Sequence, residues 1–173
     1  MAFLVRKISR AKWPNDVCEL CDIPGDTVSD LRTSSNTLSL WRIETEDDLE
    51  KAALALSASS KTERIEMVSV AWIPEELFTE KGLSLENSSV GDTVVFDLEN
   101  THCDVCNLTY ASLGIVAQTI LREIIKEERY KRFTKGHIKK ILTKAYLDDR
   151  IEESRCKPSC YIEYPVTFLY DFI

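Results

Sequence analysis

Glycine is scarce in this chain. The five glycines among 173 residues stand at positions 25, 82, 91, 114 and 136. They are too far apart for a G-x-G-x-x-G turn or a P-loop, both of which need clustered glycines so that backbone N–H groups can close on phosphate. No G-x-S-x-G elbow and no D-x-D-x-D-G calcium loop is present. Histidine is scarcer still, limited to His102 and His137, so the commonest proton-transfer side chain is almost missing. No stretch approaches the roughly 20 apolar residues that span a bilayer, and in MAFLVRKISRAKW the first charge comes too early for a signal-peptide core. There is no internal repeat, low-complexity tract or evident linker. These absences lead to the expectation of a cytoplasmic protein with reduced thiols, no membrane association and no cofactor. No residue is assigned a catalytic role, and an enzyme is disfavoured. The sequons NSS (87–89) and NLT (107–109) are then fortuitous.

What is present is ordinary globular composition: 44% hydrophobic and 29% charged residues. A chain of this size buries roughly two-thirds of its unfolded surface and needs neither metal nor disulfide to fold. One domain over 1–173 is expected, with a helical sub-region at 109–147. Charge is uneven. Between Lys126 and Lys144 there are eight basic and two acidic residues, net +6; the total of −7 therefore leaves −13 for the rest.

Hydrophobic patterning gives the elements. AFLVRKI (2–8) reads as a strand. RAKWPNDVCELCDIPGD reads as loop, with a helical turn at TVSDL after Pro24–Gly25. NTLSLWRI (36–43) alternates with period two, as a half-buried strand does. TEDDLEKAALALSAS (45–59) reads as a helix, capped by Thr45 and with acids in its first turn. RIEMVSVAWI (64–73) reads as a buried strand. Pro74 opens a short helix that Gly82 stops. DTVVFDLEN (92–100) reads as a further strand. Thr109 and Thr134 cap helices that fill most of 109–147, and YIEYPVTFLYDFI (161–173) reads as a last strand. The expected fold is α/β or α+β: one mixed sheet of about five strands with helices packed on it.

The cysteines carry the most specific chemical signal. They fall into three close pairs, Cys18/Cys21, Cys103/Cys106 and Cys156/Cys160. Two thiolates on one turn can reach a single tetrahedral zinc. Zinc ribbons, however, separate their pairs by about 15–20 residues, and 81 residues lie between Cys21 and Cys103. Zinc, with His102 as a further ligand, therefore requires the fold to bring distant pairs together. The other reading is of reduced thiols packed as small hydrophobes. CDVC, placed after TVVFDL and before a helix, also resembles the active-site layout of the thioredoxin fold, and EYPVTFLYDF its proline-bearing strand through Pro165. That resemblance implies a low-pKa thiol at a helix N-terminus. It covers two short segments, and the stretch after the helix reads as basic and helical where that fold requires a strand.

The basic segment KEERYKRFTKGHIKKILTKAY supplies Lys126, Arg129, Lys131, Arg132, Lys135, Lys139, Lys140 and Lys144 as nucleic-acid-binding candidates, because clustered cations neutralise phosphates and release counterions. LTYASLGIVA resembles the opening helix of helix-turn-helix modules, and FTKGHIKKILTKAYLDDRIEES a later helix leading to a wing. Against that stands a solvated helix face. Glu44, Glu46, Asp47, Asp48 and Glu50 sit at a helix start, where they complement the dipole. Trp13, Trp41 and Trp72 are expected in or near the core; Trp13, in a proline-containing loop, is alternatively a candidate partner anchor.

By elimination the sequence suggests a small non-catalytic protein that binds another protein, as a regulator, antitoxin- or immunity-like inhibitor, or accessory subunit. A nucleic-acid-binding module using 126–144 is the alternative, and a zinc- or thiol-dependent protein the second.

Overall fold

The computed structural model describes residues 1–17, 22–59, 64–87 and 91–155. Six strands form one sheet: β1 (Phe3–Lys7), β2 (Leu38–Ile43), β3 (Val68–Pro74), β4 (Ser84–Glu86), β5 (His102–Cys106) and β6 (Tyr130–Phe133). Their order is β4-β5-β2-β1-β3-β6, and every pairing is antiparallel. The α+β class therefore holds, but the sheet has six strands and no parallel pair. Five α-helices accompany it: α1 (Gly25–Asp30), α2 (Leu49–Ser57), α3 (Glu75–Thr79), α4 (Tyr110–Lys126) and α5 (Lys135–Leu147).

Helices cover both faces of the sheet, so its strands carry apolar side chains on both. On one face Phe3, Val5, Trp41, Val70, Trp72 and Phe133 pack under α2, α5 and the segment around Val94, Val95 and Leu98. On the other, Leu4, Leu38, Leu40, Ile73 and Val105 pack under α1, α3 and the apolar stripe of α4. Within β3 the assignment alternates as the pleat requires: Val68, Val70 and Trp72 to one face, Ala71 and Ile73 to the other.

Two helix starts are as the sequence predicts. Thr109 and Ser112 form a reciprocal capping box on α4, and Thr134 accepts from the His137 N–H on α5. Gly82, with φ of +71°, ends the segment after α3.

Three expectations are corrected. The strand predicted at 92–100 is an irregular segment followed by a 3-10 helix, Phe96–Thr101, and the strand comes next, at His102–Cys106. Val94 and Val95 still point into the core; Val95 forms one isolated antiparallel bridge with Ile151, so the apolar run reflects burial with a single bridge in place of a strand ladder. Second, 109–147 is not purely helical. Glu128 takes a left-handed conformation (φ +53°) and turns the chain into β6, which pairs with β3 from Ala71↔Tyr130 to Val68↔Phe133. Third, the helix predicted from Thr45 begins as 3-10 turn Glu46–Asp48 before α2. The predicted strand 161–173 lies outside the described residues.

Gly91 is fixed by close packing. A Cβ there would lie 2.5 Å from Trp41 Cη2 and 2.8 Å from His102 Cβ, both on buried side chains. Gly91→Ala is expected to cost about 1–3 kcal/mol by overpacking, read as a lower urea midpoint with an unchanged slope.

Candidate functional site

Packing divides the eight basic candidates into separate roles. Helix α5 buries Ile138, Leu142 and Ala145 against α2 and the β3–β6 end of the sheet. With about 100° per residue, Lys140 and Lys144 fall on the outward side of α5, and both are exposed. His137 marks the flank facing α2, where its Nε2 lies 2.9 Å from Glu50 Oε1. Lys135 and Lys139 lie about 160° round from His137, on the flank over the sheet edge. Lys131 projects from β6 on the same face, its Nζ 5.1 Å from the Phe133 ring centroid. Arg132 alternates to the opposite face and contacts Met67 Sδ. Lys126 ends α4, in the other helix layer, and stands apart from this surface.

Arg129 is structural. It pairs with Glu123, a buried residue of α4, and with Glu46, 3.4 Å away. Its guanidinium lies 5.5 Å from the Phe3 ring centroid. The other paired arginines behave likewise: Arg42 with Glu75 at 2.8 Å, Arg150 with Asp97 at 2.7 Å, and Arg155 with Glu99 and Glu152. Planar guanidinium suits such forked contacts. By contrast, among the described residues Lys131, Lys135, Lys140 and Lys144 make no ion pair. Positive charge is thus tied to carboxylates on these half-buried arginines and left without a carboxylate on those four lysines.

The acidic cluster before α2 is consumed locally. Asp48 pairs with Lys51 at 2.7 Å, which holds its carboxyl below the usual range; Glu46 and Glu50 hold Arg129 and His137.

Neither thiol of CDVC stands at a helix start. Both lie on β5, three residues apart, and so project to opposite faces. Cys103 is fully buried beside Leu40 and Val105, and burial pushes its thiol up to about 11. A thioredoxin-like site needs the reverse shift. His102 faces away from Cys103, edge-on to the Trp41 ring at 5.1 Å between centroids. Burial lowers its pKa, against an opposing contribution from Asp104. His137 cannot serve either thiol. Cys103 faces the other layer, and Cys106 lies on β5, four strand spacings or about 19 Å from β6. Among the described residues no three His, Cys, Asp or Glu side chains are grouped as a metal site needs. Cys18, Cys21, Cys156 and Cys160 lie outside the described residues.

Trp13 is a core side chain, 4% exposed, whose indole N–H donates to Asp30 Oδ2 at 2.9 Å. Trp13 thus takes the core place and not that of an exposed anchor, because Asp30 satisfies the one polar group that favours leaving a Trp edge at the surface. The sequence did not single out the exposed apolar residues of α5, Tyr146 and Leu147, exposed by 39% and 67%. Once α5 is phased by Ile138 and Leu142, both fall outside its buried stripe, a signal already available in the helical periodicity.

Among the described residues no helix is long and apolar enough to cross a membrane. No family model, curated protein or solved structure matches this chain.

Two measurements separate these roles. Arg129→Met strands buried Glu123 and is expected to lose about 2–4 kcal/mol of unfolding free energy, whereas Lys140→Met stays within about 0.5 kcal/mol; urea denaturation of both variants compares them. Because the folded pKa of His102 lies below its ordinary 6.5, the unfolded chain binds more protons in acid. Its contribution is complete above about pH 6.5 and is lost as pH falls from there through the folded value. Unfolding free energy should therefore fall between about pH 7 and 5, and His102→Leu should flatten that part of the profile.

Proposed function

We propose that this protein acts by binding a partner macromolecule, without chemistry of its own, and that it docks through the outward side of α5 together with edge strand β6. The observation that carries this is the run of lysines without ion pairs, Lys131, Lys135, Lys140 and Lys144, in a chain whose remaining charge is strongly negative. Folding does not require them: the buried side of α5 is supplied by Ile138, Leu142 and Ala145. Their mutual repulsion is relieved only by salt or by an anionic surface. A rigid helix held by its core stripe presents these charges at fixed spacing, and complementary charge raises the rate of encounter and sets orientation. Such a role accords with a regulatory, inhibitor-like or accessory protein.

The double reversal Lys140→Glu/Lys144→Glu tests the docking face. The variant is expected to keep its thermal transition and to lose at least about tenfold in affinity for the partner isolated with the native chain. A complex that forms undiminished with the variant would falsify this assignment.

A further inference from the structure

We infer that the partner met by the α5–β6 surface is the sugar-phosphate backbone of nucleic acid, bound without regard to base sequence; this rests on the docking face proposed above and specifies its ligand. Four features point the same way. First, the surface is made of lysine. Protein–protein interface cores are depleted in lysine and gain their energy from buried aromatic and arginine anchors. Here the paired arginines Arg42, Arg129 and Arg150 are turned inward on carboxylates, and Trp13, Trp41 and Trp72 are all buried.

Second, the charges are spread along one helix. Lys135, Lys140 and Lys144 of α5 cover about 13 Å of axis at 1.5 Å per residue. Lys131 adds a cation at the sheet edge. A duplex offers a continuous row of anions, one per about 1.7 Å of its axis, whereas a folded acidic protein offers scattered carboxylates.

Third, the side chains that pair with adenine are missing. Asn and Gln read adenine edges, and Arg or Lys reads guanine. Helix α5, KGHIKKILTKAYL, has no Asn, Gln or Arg, which leaves lysine, a residue that meets guanine and phosphate alike. Its polar residues are lysines, one threonine and a histidine already engaged with Glu50. Phosphate contacts fix position on a duplex and carry no sequence information.

Fourth, the edge strand is short and charged. β6 places Lys131 and Arg132 at the sheet margin, a pattern that discourages pairing with another strand, and Lys131 adds its charge on the α5 face.

The test is fluorescence anisotropy with two labelled duplexes of about 20 base pairs and unrelated sequence, titrated between about 50 and 200 mM salt, with poly-glutamate as the acidic-polypeptide control. Equal affinity for the two duplexes is expected, with log K falling against log salt at a slope of about −3 to −4, as neutralisation of about four phosphates requires. Lys140→Ala/Lys144→Ala should flatten that slope by about two. Tight binding of poly-glutamate with none of either duplex overturns the inference in favour of an acidic protein. Marked preference for one duplex, or a slope unchanged in the variant, overturns it as well. If the duplexes do not bind while the native partner complex still breaks on Lys140→Glu/Lys144→Glu, the phosphate assignment falls and the docking face stands.

Discussion

Strand β1 is registered on both sides, Val5 opposite Trp41 of β2 and opposite Trp72 of β3, with Leu4 and Val5 fully buried on opposite faces. A strand enclosed in this way must be apolar on both faces, and its neighbours must be too. The helices follow from that requirement: α4 presents a long stripe to one face, while α2 and α5 share the other. The sheet edges are where the constraint relaxes. One edge is β4, only three residues long; the other is β6, with two cations in four residues. Both are ways of avoiding an open, sticky edge.

That geometry decides which charges are available. Arg129 leaves the turn before β6 at the margin of the sheet and meets Glu123 from one helix layer and Glu46 from the start of the other. A buried carboxylate such as Glu123 is tolerable only with such a partner. Among the described residues, Lys131, Lys135, Lys140 and Lys144, which follow in sequence, make no ion pair. Residues adjacent in the chain thus divide into a tie within the fold and a surface outside it, and the partner-binding proposal rests on that division.

The thiols show the same dependence on placement. Three-residue spacing brings two side chains together on a helix or tight turn but sends them to opposite faces of a strand. Cys103 becomes a core residue with its ionisation suppressed, and His102 becomes a packing partner of Trp41 beside Gly91. The motif that looks most chemical in the sequence is, for these residues, part of the packing.

Much of the fold was legible locally. Apolar and β-branched runs located β1 and β3, period-two alternation located β2, threonine caps located α4 and α5, and Gly82 marked a stop, because each is governed by interactions within a few residues. Strand β6 was not legible: Tyr-Lys-Arg-Phe is too short to carry a period, and its strand conformation comes from β3 alongside. Val94 and Val95 misled in the opposite sense, since an apolar run records burial whether or not a neighbouring strand pairs with it. Of the candidate surface, the sequence by itself determined the cluster of cations and the helix that carries most of them. Only the tertiary structure decided that Arg129 is held by Glu123 and Glu46, that Trp13 takes the core place over that of a partner anchor, that Lys126 stands apart, and that Lys140 and Lys144 face outward. Charge and periodicity are properties of a segment, whereas the availability of a side chain depends on what distant segments place beside it.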